Sequence, residues 1–113
     1  MTILGIFLRN INARLNSVYK WYINYIMNVF EFDQEKSKSN LDKHDIDFIQ
    51  AQVIWDDPDF VEVQVKSDDE ARYIIIGLIG EKYWSAIVTY RDQNIRLISV
   101  RRSRRSEVEI YES

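Results

Sequence analysis

The sequence predicts an α+β domain: an antiparallel β-sheet meander with two N-terminal helices packed on it and a C-terminal helix, preceded by an extra amphipathic helix. Three observations predict it. Residues Phe60 to Lys66 alternate, with Val61, Val63 and Val65 facing one way and Glu62, Gln64 and Lys66 the other, the period of a half-wet strand near a sheet edge. Three apolar runs come next, Tyr73 to Ile79, Trp84 to Arg91 and Ile95 to Val100, joined only by Gly80-Glu81-Lys82 and Asp92-Gln93-Asn94. Consecutive strands with such short turns pair antiparallel, and the helical segments before them must cover one face.

The bounds are those of one domain of 113 residues, too short for a separate catalytic half. With 46% apolar residues, 13% of the chain being aromatic, it is not a disordered protein. There is no cysteine, which excludes disulfides, thiolate metal sites and a thiolate nucleophile and fits a reducing cytoplasm. A single histidine, His44, excludes two-histidine mechanisms and multi-histidine zinc sites, so no metal and no cofactor is expected.

In order along the chain, Leu4, Leu8, Ile11, Leu15, Val18, Tyr22, Tyr25 and Val29 recur at alternating spacings of four and three, an amphipathic helical stripe. Arg9, Arg14 and Lys20 interrupt it, which argues against a membrane span. Three readings stay open: a helix packed on the domain or on a second copy, an interfacial membrane helix, or an extension before a domain that starts at Met27. Residues 1–26 are accordingly set apart from a domain over 27–113. Val29 to Phe32 reads as a short strand, and Asp33 caps a polar helix from Gln34 to about Lys43, with Leu41 its one core contact. Asp47 and Gln50 have the spacing of a capping box for a second helix, which Asp56-Asp57-Pro58-Asp59 ends. Tyr73 to Ile79, apolar on both faces, belongs in the middle of the sheet. After Val100 period two is lost, Arg101 to Arg105 open a helix, and Ser103 is the residue placed to cap it.

Charge is segregated. Between Arg91 and Arg105 there are six arginines (91, 96, 101, 102, 104 and 105) against Asp92 alone, in a chain whose net charge is −3. Such a patch points to an anionic partner, phosphate backbones above all. Its bland reading is a solvated helix face paired with Glu107 and Glu109. The Asp56–Asp59 and Asp68–Glu70 clusters lack a calcium-loop spacing and read as solvated turns.

Several separated motifs resemble the BrnT family of toxins: Phe30-Glu31-Phe32-Asp33 with Lys36, Asn40, Lys43-His44 and Phe48; Arg72-Tyr73 leading to Gly77; Tyr90-Arg91; and Arg96-Leu97-Ile98-Ser99-Val100-Arg101-Arg102 with Arg105, Glu107, Tyr111 and Glu112. The likeness covers Met27 onward. Asp45 stands where the family usually has glycine, and Val100 and Ser103 where it has alanine. The resemblance implies a RelE-like fold, a cytoplasmic endoribonuclease that blocks translation, and neutralisation by a ribbon-helix-helix antitoxin, BrnA-like, through which DNA is met only indirectly.

Cleaving RNA with its own 2′-hydroxyl needs a base, cations for the phosphorane and an acid for the leaving oxygen. Arg72, Arg91 and Arg101, with His44, are the expected catalytic residues; Lys43, Arg96, Arg102, Arg104, Arg105 and Tyr90 are the expected RNA-binding ones. Arginine forks suit phosphate. The acid and base stay open among His44, which also reads as a helix-terminal residue, and Glu107, Lys43, Tyr90 or Tyr111. Two other classes stay open beside the ribonuclease: a non-catalytic module that grips RNA or antitoxin, and a membrane-associated protein working through its first helix.

Overall fold

The computed structural model describes residues 27–113, and in it the alternating runs become one five-stranded sheet: β1 (Phe30–Glu31), β2 (Val61–Val65), β3 (Arg72–Ile79), β4 (Lys82–Arg91) and β5 (Asn94–Arg102). Helix α1 spans Gln34–His44, a 3₁₀ helix spans Gln50–Asp56, and α2 spans Arg105–Glu112. The expected helix over residues 1–26, and the domain boundary drawn there, lie outside the described residues. No helix among the described residues is long and apolar enough to cross a membrane.

The spatial order is β1-β5-β4-β3-β2. Strands β2 to β5 form the expected antiparallel meander, with β2 at the edge as its wet face requires. The middle strand is β4 rather than β3. The sheet is mixed rather than wholly antiparallel, because β1 pairs parallel with β5, Phe30 opposite Ile95. Parallel pairing needs a long connection, and the two helices and three strands between β1 and β5 supply it. Ile75, Ala86 and Val100 are neighbours across three strands, fully buried in one cluster with Phe48, Ala51 and Ile54. Ile87 pairs with Ser99 and Val88 with Leu97, which leaves Ile98 as an extra residue on β5. This bulge lets Leu97 and Val100, three residues apart, both point into the core.

Helix α1 reverses one expectation. Leu41 is 40% exposed, whereas Ser37 and Asn40 are buried. The cause is the half-covered edge of β5: β1 pairs with only Ile95 and Arg96, so the backbone beyond needs partners from elsewhere. Asn40 supplies them. Its Oδ1 accepts from the Val100 amide (3.0 Å), and its Nδ2 donates to the carbonyls of Val100 (2.9 Å) and Ile46 (2.8 Å). Ser37 Oγ accepts from the Phe48 amide at 2.9 Å. The predicted cap on this helix is present, with Asp33 Oδ1 accepting from the amides of Glu35 (2.8 Å) and Lys36 (3.1 Å).

The second helix keeps its expected cap but not its expected type. Asp47 Oδ1 accepts from the amides of Ile49 (2.9 Å) and Gln50 (2.7 Å), and Gln50 Oε1 accepts from Asp47 (2.9 Å). Beyond this cap the chain forms seven residues of 3₁₀ helix. The segment is clamped at its far end, where Asp57 Oδ2 accepts from the Leu78 amide at 2.8 Å, and its Ile54 lies so close to β3 that a Cβ on Gly77 would sit 2.9 Å from Ile54 Cγ2. Between fixed ends, the tighter helix spans the gap in fewer residues.

The last helix is also begun differently. Ser103 Oγ meets Ser85 Oγ (2.8 Å), and it is the Glu107 carboxylate that accepts the Arg104 amide at 2.8 Å. Arg101 and Arg102 therefore end β5 instead of opening α2. Tyr111 then ties α2 to the body through its hydroxyl, which donates to Asp57 Oδ2 at 2.8 Å.

Candidate active site

Helix α1 stops where Asp45 takes left-handed geometry (φ 63°, ψ 29°) and its amide returns to the Leu41 carbonyl at 2.9 Å. This turn leaves Lys43 and His44 in the last helical turn, beside the edge of β5 to which Asn40 anchors the helix. There the end of α1 and the β5–α2 junction form an open groove of about 560 Å³, lined by Leu41, Asp42, Lys43, His44, Asp45, Arg101, Arg102 and Arg104. The Asn40–Val100 contact that joins its two walls spans 60 residues of sequence. Four permanent cations and one imidazole thus meet two carboxylates, so the groove is net positive.

Arg101 is held rigidly. Its Nη1 and Nη2 donate to Glu107 Oε1 and Oε2, each at 2.7 Å, and Glu107 is buried. Arg101 draws the Glu107 carboxyl down to about 2, against an ordinary value of 4.5, with the Arg104 amide and the Ser85 hydroxyl adding to the effect. The same pairing raises the Arg101 guanidinium further above its already high value. Arg102 lies over the Trp84 ring, 5.4 Å from its centroid, and its Nε donates to the Tyr83 carbonyl at 3.2 Å. Lys43 and Arg104 make no ion pair among the described residues.

These shifts sort the candidate acids and bases. A carboxyl at about 2 is a poor base at neutral pH, so Glu107 positions Arg101 and does not move protons. Tyr90 is pushed well above the ordinary phenol range by burial and by its hydrogen bond to Glu62, and Tyr111 is pushed up to about 12 by its bond to Asp57. Both phenols hold their protons tightly. Among the groove residues His44 is the one imidazole, in the last turn of α1 beside Lys43. No cluster of three or more potential metal ligands occurs among the described residues.

The other expected site residues lie elsewhere. Arg96 is near the start of β5, paired with Thr89 and Glu31, and its Nη1 is 3.4 Å from Glu31 Oε1. Five residues of strand, roughly 17 Å, separate it from Arg101. Arg72 opens β3, next to the Tyr73–Val88 pair, and so lies towards the Arg96 end of the sheet. Arg91 reaches Glu70 at 3.4 Å, and Tyr90, at the same end, packs edge-on against Tyr73. Arg105 is almost fully exposed and faces Glu109 at 3.4 Å. The expected set thus divides between Lys43, His44, Arg101, Arg102 and Arg104 in the groove and Arg72, Tyr90, Arg91 and Arg96 at the far end, with Arg105 exposed on α2 outside both. Sequence reasoning missed Asn40 and Ser37 as the anchors of the groove. Their spacing of three on a polar helix was the available signal.

Fold and groove together define a small α+β domain that offers a cation-lined cleft and an imidazole at one end of its sheet. The chain belongs to the family of ribonuclease toxins, BrnT, of type II toxin-antitoxin systems, whose model matches residues 32–107. That span runs from Phe32, just after β1, to Glu107 in α2 and includes both walls of the groove. No curated protein matches the chain.

Proposed function

We propose that this toxin is a metal-independent endoribonuclease that cleaves RNA in the groove between α1 and β5 and thereby inhibits translation. The observation that carries the proposal is the meeting of His44 with Arg101, Arg102 and Arg104, residues far apart in sequence, in one groove. In the proposed reaction His44 takes the proton of the ribose 2′-hydroxyl, and the O2′–phosphorus bond forms as the phosphorus–O5′ bond breaks. Arg101, held by Glu107, and Arg102 and Arg104 neutralise the phosphorane; Lys43 gives a proton to the departing 5′ oxygen. The products are a 2′,3′-cyclic phosphate and a 5′-hydroxyl. Arg72, Arg91, Arg96 and Arg105 extend the RNA path beyond the scissile phosphate.

In this reading the protein works in the cytoplasm, with a RelE-like domain over residues 27–113. A BrnA-like ribbon-helix-helix antitoxin neutralises it and brings it to DNA. An acidic antitoxin segment in the groove would exclude RNA, and its affinity would fall with added salt. A second reading, a module that grips RNA or antitoxin without cutting, is favoured by one observation: both terminal nitrogens of Arg101 already donate to Glu107. Expression in a bacterial host, with analysis of the RNA, separates the two. Growth arrest with RNA fragments ending in cyclic phosphate, formed in purified samples with chelator present and lost with Arg101→Ala, is expected of the enzyme. Arrest with intact RNA would leave the binding module.

A further inference from the structure

At the Tyr90–Ile95 end of the sheet, away from the arginine groove, Trp55, Phe60 and Tyr90 wall a cleft of about 230 Å³ with Glu62 at its side. Phe60 and Tyr90 are 38% and 41% exposed, although each packs against another ring. Trp55 and Phe60 have ring centroids 6.5 Å apart, and Tyr90 is braced by Tyr73 at 5.2 Å. The Tyr90 hydroxyl donates to Glu62 Oε1, which fixes the carboxylate against the rings and leaves Oε2 without a partner among the described residues. The remaining lining side chains are uncharged.

Three aromatic walls and one carboxylate make an electronegative pocket. Ring faces attract cations, and an unpaired carboxylate oxygen accepts from N–H donors. No cation lines the cleft itself and one carboxylate does, which favours a cationic ligand over a phosphate. The cleft is sized for one side-chain head, and its exposed rim of Phe60 and Tyr90 is apolar surface that a protein partner would cover.

We propose that this cleft is an aromatic cage for the guanidinium or ammonium group of an arginine or lysine on the antitoxin. The choice of partner rests on the toxin-antitoxin reading above; the cationic ligand does not. The cage would make the antitoxin grip the toxin at the end of the sheet opposite the groove.

The test monitors the indole N–H resonance of Trp55, assigned by its loss in Trp55→Phe, in the full chain. N-acetyl-arginine amide and N-acetyl-lysine amide should each shift it saturably, and Glu62→Gln should weaken that binding at least tenfold. Glu62 is exposed, so this variant keeps the fold. No shift with either amide, or a shift with guanosine monophosphate instead, overturns the cage. Tighter binding of spermidine than of the amides would assign it to a free polyamine and overturn the protein partner. In the complex co-expressed with the antitoxin from a neighbouring reading frame, the same resonance should move and Glu62→Gln should speed dissociation at least tenfold; an unmoved Trp55 overturns the assignment to the antitoxin. RNA cleavage by Glu62→Gln should equal wild type. Absence of cleavage in the wild type would sink the ribonuclease reading and leave the amide titration intact.

Discussion

Both terminal nitrogens of Arg101 donate to the carboxylate of Glu107, Nη1 to Oε1 and Nη2 to Oε2, at 2.7 Å each. Glu107 also takes the Ser85 hydroxyl (3.0 Å) and the Arg104 amide (2.8 Å), so one carboxylate fixes the end of β5, the start of α2 and a groove arginine at once. Glutamine at position 107 keeps the shape but loses the charge and an acceptor. Glu107→Gln should lower stability by about 1–3 kcal/mol in urea unfolding. It should also slow RNA cleavage by up to roughly a hundredfold through misplacement of Arg101.

The same carboxyl sets an acid limit. Its folded value of about 2 lies below the ordinary 4.5, so the ionised form favours the folded state. The stability it contributes is fully present above about pH 4.5 and is lost as pH falls towards 2. Unfolding free energy measured across that window should fall less steeply in Glu107→Gln than in the wild type. Parallel curves would show that Glu107 is not the linked group.

Asn40 stands in for a missing strand along β5. Replacing it with alanine strands the amide and carbonyl of Val100 and the carbonyl of Ile46, at a cost of about 3 kcal/mol. The Val100 amide should lose its protection from hydrogen exchange. Because α1 then loses its anchor, cleavage should drop even where the variant stays folded.

Asp45 works against both fold and groove. It carries a left-handed backbone (φ 63°) and places a carboxylate among the cations. Asp45→Gly should stabilise the protein by about 0.5–1 kcal/mol, measured by thermal unfolding. It should also tighten RNA binding, whereas Arg104→Ala should flatten the slope of log affinity against log salt by roughly 0.7.

The strands were legible because alternation reports which face is wet, and Val61, Val63 and Val65 say so whatever the tertiary context. Two of the three caps were legible for the same local reason, since Asp33, Asp47 and Gln50 act on amides two or three residues away; the third was not, because Ser103 turns to Ser85 instead. The illegible features depend on partners distant in sequence. Polar residues on a polar helix look solvated, so the burial of Ser37 and Asn40 against β5 was hidden, as was the parallel docking of β1. The arginine run was plain, yet the bulge at Ile98 and the extension of β5 to Arg102 decide which arginines line the groove with His44. His44 and Arg101 share no local pattern at all; only the anchoring of α1 along β5 brings them to one groove.

The most direct test of the groove as the site of RNA cleavage is the single-turnover cleavage rate of His44→Ala, measured in chelator alongside RNA affinity. A loss of roughly a hundredfold or more in rate, with affinity changed little, is expected of an imidazole that moves the proton. Cleavage at the wild-type rate by the folded variant would contradict it and place the chemistry elsewhere.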